Sequence, residues 1–397
     1  MDFYICLWII ACFLALTESL KAKPFNKGFT VFVFLIIALF VGFRFEVGAD
    51  WASYKNFFYT GIAEDKQSGQ AEPLFTLIRW VFYKLGLSHC LFFYALSLLT
   101  LLVLYKTTKL MGFQKFFFPF VVYVALFFCN YQFNLLRHSL MASFVWLAMA
   151  YAISGNRKRG LVCGMLSAGF HMLGLISIPL IYVIDKKLDR KKVIFIISFS
   201  LICVLLGLSQ RIMALFPFLA QMERVAGYID RADYEDAYGL SIGTLFNLCL
   251  YCFLYFKYNH VYMINKRFRM VLNCLLVCVA LTCVLNAFAA IISRIGNLFM
   301  MSMMFALPYL YYLLIKRNKL NEVFIQDNAS DGSIEKLKAK PKAKPKAKPR
   351  SPFMAFGLAM LIFAYLTMYY NKSYNTMDPV TFDNAFIPYK IVLFQSK

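Results

Sequence analysis

Near-continuous apolar stretches, each close to 20 residues long and separated by short polar runs, recur along the chain. Ten of them read as membrane spans: 3–20, 29–45, 90–105, 115–132, 135–154, 192–208, 240–256, 270–288, 297–315 and 353–370. About 20 apolar residues in a helix cross the hydrocarbon layer, whereas barrel strands would alternate over short segments. Two further apolar stretches, 73–88 and 161–184, read as re-entrant or half-helical. The pattern predicts an all-α polytopic membrane protein with about 10 full transmembrane helices, forming a single multi-span membrane domain over 1–397. The start of the chain lacks a basic n-region and a small-residue cleavage site, so it reads as the first span.

The polar runs give the orientation. Basic residues cluster at Lys21, Lys23 and Lys27, at Lys106, Lys109 and Lys115, and at Arg157, Lys158 and Arg159. They cluster again at 186–192, at 257–269 and along 316–350. Loops rich in Lys and Arg face the cytoplasm. Every second loop is basic if 73–88 and 161–184 each return to their own side. Non-helical backbone at membrane depth is tolerated only when buried in protein or lining a wet cavity. Both segments are therefore suspected of forming a site. The same topology makes 46–72 and 209–239 outer loops, makes 316–352 a cytoplasmic loop, and leaves both termini outside.

Residues 338–349 read KAKPKAKPKAKP. Proline at every fourth position forbids a helix and favours an extended chain. The segment reads as a solvated tether that touches anionic membrane lipids. Without interleaved aromatics it does not read as a nucleic-acid binder.

Composition removes other classes. The chain is 61% hydrophobic and 16% charged, with a mean hydropathy of +0.63. Soluble domains hold about 45–50% apolar and about 25% charged residues. A soluble enzyme, a disulfide scaffold, a disordered chain and a coiled coil are excluded. The net charge of +22 is an orientation signal: 29 of the 42 Lys and Arg, but only 7 of the 20 acids, fall on the predicted cytoplasmic loops. The outer side is left neutral. Most of the 11 cysteines lie in apolar runs as small hydrophobes. Cys249 and Cys252 form a CxxC with no second ligand pair, which does not suit zinc.

Candidate chemistry lies on the neutral side. Arg44, Arg137 and Arg294 fall at outer ends of spans far apart in sequence. An arginine near hydrocarbon is costly and usually faces the bundle interior. Three that converge suit a diphosphate, whose oxygens accept bidentate contacts. The alternative is that each snorkels to headgroups. Asp50, close after Arg44, could pair with an arginine, orient a sugar hydroxyl or act as a base. His171, in SAGFHMLGLISIPL, falls at the turn of the segment that does not cross cleanly. It could take a proton at neutral pH, or be a buried histidine bonded to a carbonyl. No P-loop or HExxH is present.

These strings also carry a resemblance. Arg44, Gly48, Asp50 and Tyr54 give R-x3-G-x-D-x3-Y, and Glu72-Pro73-Leu74-Phe75 follows. Asn134, Arg137 and His138 give N-x2-R-H; Phe170-His171, Ser293-Arg294 and Pro388-Tyr389 complete the order. The series resembles the EpsG family, itself similar to the Wzy-type O-antigen and capsular polysaccharide polymerases. One departure is His138, where the family often has glutamine.

The resemblance implies a metal-independent membrane glycosyltransferase without a cofactor. Its partners would be undecaprenyl-diphosphate-linked repeat units and a chain-length regulator. It would act at the outer face of the bacterial cytoplasmic membrane. Arg44, Arg137 and Arg294 would hold the diphosphate, His171 or Asp50 would deprotonate the acceptor, and Trp51, Tyr54 and Tyr389 would stack on sugars. Competing readings are a lipid-linked oligosaccharide flippase, an O-antigen ligase and a membrane O-acyltransferase.

Overall fold

The computed structural model describes residues 3–61, 72–209, 211, 241–286, 292–315 and 352–374. These residues are helical or in turns and caps, with no strand among them. Among the described residues, six helices are long and apolar enough to cross a membrane: Phe3–Leu20, His89–Leu110, Phe117–Asn134, Leu136–Ile153, Lys266–Val284 and Arg294–Leu314. The expected count of about 10 is not reached by this criterion. Lys27–Gly42, Arg190–Leu205 and Ile242–Lys257 are apolar but only 16 residues long. At 1.5 Å per residue each reaches about 24 Å against a hydrocarbon core of about 30 Å. Pro352–Tyr374 is helical over 23 residues. The loop 209–239 and the tether at 338–349 lie almost wholly outside the described residues.

In chain order the helices that matter below are α1 (Phe3–Leu20), α2 (Lys27–Gly42), α3 (Trp51–Thr60), α4 (Pro73–Lys84), α5 (His89–Leu110), α6 (Phe117–Tyr123), α7 (Leu136–Ile153), α8 (Arg157–Phe170), α9 (Ser177–Val183) and α10 (Arg190–Leu205). Beyond them, α11 is Ile242–Lys257, α12 is Asn259–Ile264 and α13 is Lys266–Val284. The centre of the bundle is α7, buried over nearly its whole length. Trp146 on α7 is wholly buried and donates to the Leu298 carbonyl at 2.9 Å.

Both segments set apart by their sequence are broken or short. Pro73 opens α4, where a residue without N–H is tolerated, and α4 runs only 12 residues. The stretch 161–184 is a helical hairpin. α8 ends at Phe170, His171 is extended (φ −162°, ψ 136°), a 3₁₀ turn covers Met172–Ile176, and α9 returns along α8. The pairing is antiparallel about His171. A Cβ on Gly164 would lie 2.7 Å from Ser177 Oγ, and the Arg157 guanidinium lies 5.6 Å from the Tyr182 ring centre. Ser167 Oγ closes the turn by donating to the carbonyl of Gly164 at 2.7 Å, with Gly174 O at 3.1 Å.

The foot of the hairpin is tied to α13. Asn273 Nδ2 donates to the carbonyls of Ile184 (2.6 Å) and Lys186 (2.9 Å), and Arg269 Nε donates to Asp185 O at 2.5 Å. Main-chain groups left by a turn inside an apolar bundle must find partners within the protein. Buried asparagine and arginine supply them here.

A second tie joins α1, the α1–α2 turn and α6. Glu18, 1% exposed, accepts from Phe25 N–H at 3.2 Å and Phe117 N–H at 2.7 Å. Leaving a buried donor unmet costs about 1–3 kcal/mol. Glu18→Ala strands two such donors and should lower the thermal midpoint in detergent by several degrees, whereas Glu18→Gln, which keeps one acceptor oxygen, should lose less. Equal midpoints for the two variants would contradict this role.

Candidate functional site

The segment after α2 curls tightly. Glu46 (φ 51°) and Gly48 (φ 94°) both occupy the left-handed region, which turns the main chain around the Arg44 side chain. Arg44 is wholly buried. Its Nη1 donates to Val41 O at 2.7 Å, Nε to Val47 O at 3.0 Å, and Nη2 to Phe133 O at 2.9 Å. Phe93 and Phe133 lie against the guanidinium at 5.0 and 5.3 Å. The Trp51 ring N–H donates to the Arg44 carbonyl at 3.2 Å, and Trp51 is 5% exposed. Arg44 thus donates to three carbonyls and joins the 44–48 curl to the segment before α7. Trp51 packs beneath that joint.

Gly48 permits the joint. A Cβ there would come within 2.7 Å of Asn134 Oδ1 and 2.8 Å of Phe133 O. The R-x3-G and N-x2-R-H strings are therefore two sides of one contact.

Beyond α6 the helix continues as a wide π-helix over Val124–Asn134, and Leu135 N–H bonds back to Asn130 O at 2.9 Å. A second π-helical segment, Ile292–Gly296, carries Arg294. π-helical turns often mark functional sites, because they aim side chains off the regular helical face. Here the first ends just ahead of Arg137 and His138.

Arg137 meets an acid from a distant segment. Its Nη1 lies 2.7 Å from Glu72 Oε2, and the Glu72 side chain is 6% exposed. The guanidinium lies over the Tyr54 and Phe75 rings at 5.7 and 5.8 Å. His171, at the hairpin tip, presents Nε2 at 3.9 Å from Glu72 Oε1. The His171 and His138 rings meet edge to face at 5.8 Å. His138 is 3% exposed, and neither ring nitrogen has a hydrogen-bond partner among the described residues. The charge of Arg294 acts on His138 from the second π-helical segment. Burial pushes the Tyr54 phenol up from its ordinary range; Arg137 opposes this and Asp50 adds to it. Tyr54 therefore stays a neutral hydroxyl beside the cation.

Glu72 meets Arg137 and His171 directly; His138 lies against His171, Tyr54 against Arg137, and the charge of Arg294 acts on His138, with Asp50 one turn before Tyr54. Arg44 and Trp51 stand apart in the supporting joint. Tyr389 lies outside the described residues. Among the described residues no group of three His, Cys, Asp or Glu side chains is set to hold a metal ion.

The EpsG family model matches residues 27–326, about three quarters of the chain. The chain belongs to the EpsG family. Searches of curated proteins and of solved structures give no match. In this EpsG protein the cluster is made by elements within the matched range: α3, the start of α4, α7, the hairpin tip and the second π-helical segment.

Reading residues one at a time missed the role of Glu72. The signal was present: an acid directly before the proline that opens a short helix, on the side that carries three candidate arginines.

The joint predicts a measurable asymmetry between two glycines. Gly48 and Gly86 both have positive φ, but a Cβ at Gly86 meets nothing within 4 Å. Gly86→Ala should therefore carry only the backbone strain, about 1 kcal/mol, and Gly48→Ala should be clearly worse in thermal melts. A Gly48→Ala protein as stable as Gly86→Ala would show that the curl does not rest on Phe133 and Asn134.

Proposed function

We propose that the protein is a polysaccharide polymerase of the Wzy type. It joins undecaprenyl-diphosphate-linked oligosaccharide repeat units into O-antigen or capsular polysaccharide at the outer face of the bacterial cytoplasmic membrane. Family membership supports the class of reaction. The observation that carries the chemistry is the meeting of Arg137, His171 and His138 from distant segments at the buried carboxylate of Glu72, with the charge of Arg294 acting on His138.

Glycosyl transfer from a lipid diphosphate develops negative charge on the leaving phosphate. Fixed cations in a water-poor site offset that charge without reorganising. Arg137 and Arg294 are assigned to this task. Arg137 is held by Glu72 and backed by Tyr54, so its fork is oriented before substrate arrives. Arg44 is assigned a framework role, because its donors already meet three carbonyls. Trp51 is assigned the same role, since it is buried and bonded to Arg44. Tyr54 serves Arg137 ahead of any sugar. The segments 46–72 and 209–239 would border the glycan path, and a chain-length regulator would act from the same side.

Purified protein in liposomes, supplied with lipid-linked repeat units, should make a ladder of longer glycans without an ion gradient. A flippase would only move single units across the bilayer, and a ligase would need a separate acceptor. Arg137→Ala and Arg294→Ala should each slow elongation by about 10²–10³-fold, the range seen when one charge-stabilising donor is removed. Normal ladders from both variants would overturn the diphosphate assignment.

A further inference from the structure

We propose that Glu72 is the proton acceptor for the incoming sugar hydroxyl, and that His171 orients that hydroxyl. The inference rests on the polymerase reading and deepens it.

The two ring nitrogens of His171 have different surroundings. Nδ1 accepts the Leu173 N–H at 3.2 Å and so caps the 3₁₀ turn of the hairpin. With its Nδ1 lone pair engaged, a neutral ring carries its proton on Nε2. That N–H is directed at the Glu72 side. As a base, His171 would have to take a proton at Nδ1 and give up the cap that shapes the tip. Its geometry suits a donor instead.

The Nε2 to Oε1 separation, 3.9 Å, is too long for a direct hydrogen bond and matches the span of one bridging oxygen. A hydroxyl oxygen about 2.8 Å from each atom subtends an angle near 90° between them. Such an oxygen receives the Nε2–H and points its own hydrogen at Oε1. The other carboxylate oxygen stays on Arg137 at 2.7 Å. One carboxylate thus faces the acceptor through Oε1 and the cation of the donor site through Oε2. The two reacting groups are brought side by side, which is the main requirement of a bimolecular transfer.

The step balances as follows. The acceptor O–H bond breaks and its proton passes to Glu72 Oε1. The oxygen's electron pair forms the bond to the anomeric carbon of the donor. The bond from that carbon to the diphosphate oxygen breaks, and its electron pair leaves on the lipid diphosphate, facing Arg137 and Arg294. Glu72 then gives its proton to water or to the departing diphosphate.

The charged and titratable groups next to Glu72 are Arg137 on α7 and His171 at the hairpin tip; beyond them stand His138 beside His171 and Tyr54 beside Arg137, with the charges of Arg294 and Asp50 acting on His138 and Tyr54. Arg137 favours the ionised carboxylate, the form a base requires.

The test uses full-length protein in liposomes with lipid-linked repeat units, assayed from pH 5 to 9. Wild type should lose kcat as pH falls through the carboxylate's titration. Glu72→Gln should lower kcat by about 10²–10⁴-fold, the usual span for a general base, and leave KM within about threefold. Its residual activity should lack the acid limb. Glu72→Asp should recover at least about tenfold over Glu72→Gln and retain the limb, which separates lost chemistry from lost folding. A Glu72→Gln enzyme with raised KM, unchanged kcat and an intact acid limb would overturn the proposal and reduce Glu72 to a tether for Arg137. Wild type that elongates nothing would overturn the polymerase reading itself, and this proposal with it. Elongating wild type matched by Glu72→Gln overturns this proposal alone.

Discussion

The structure depends on one buried guanidinium. Arg44 gives its donors to carbonyls of Val41, Val47 and Phe133, which lie on two segments 89 residues apart at the widest bond. A charge placed among apolar helices is costly unless hydrogen bonds meet it, and a curled backbone there needs donors for its exposed carbonyls. Each need answers the other. The result fixes the 44–48 curl against the end of the first π-helix, and this sets where α3 begins and where Arg137 emerges.

From that joint the site follows by connection. α3 carries Tyr54 under the Arg137 guanidinium. Pro73 starts α4 at the point where Glu72 meets Arg137, and Leu74 packs against the hairpin near Gly169. The hairpin, held at its foot by Asn273 and Arg269, carries His171 at the far end. Short and broken helices occur where the chemistry is.

Much of this was legible in the sequence. Apolar lengths gave the all-helical membrane class, and the pattern of basic loops marked 161–184 as a stretch that turns back. His171 fell at its turn for the same reason. The span count was less legible, because the apolar stretches 29–45, 192–208 and 240–256 are only 17 residues each, and α2, α10 and α11 over them have 16 helical residues each. Arg44 and Arg137 looked alike as arginines at helix ends. Both lie against aromatic rings; their difference is a matter of polar partners, carbonyls for Arg44 and a carboxylate for Arg137. Neither partner set lies near in sequence, so no local pattern separates them. Glu72 was hidden likewise, since its meaning comes from Arg137 and His171, 65 and 99 positions away.

The central claim is that Arg137, Arg294, Glu72 and His171 form one site for a lipid diphosphate and an acceptor hydroxyl. The most direct measurement is an experimental structure of the protein in lipid nanodiscs with undecaprenyl diphosphate bound. The account predicts phosphate oxygens within hydrogen-bond distance of Arg137 and Arg294, with Glu72 still beside His171 and Arg44 still on its three carbonyls. A diphosphate held by Arg44, or seated away from the Glu72 cluster, would contradict it.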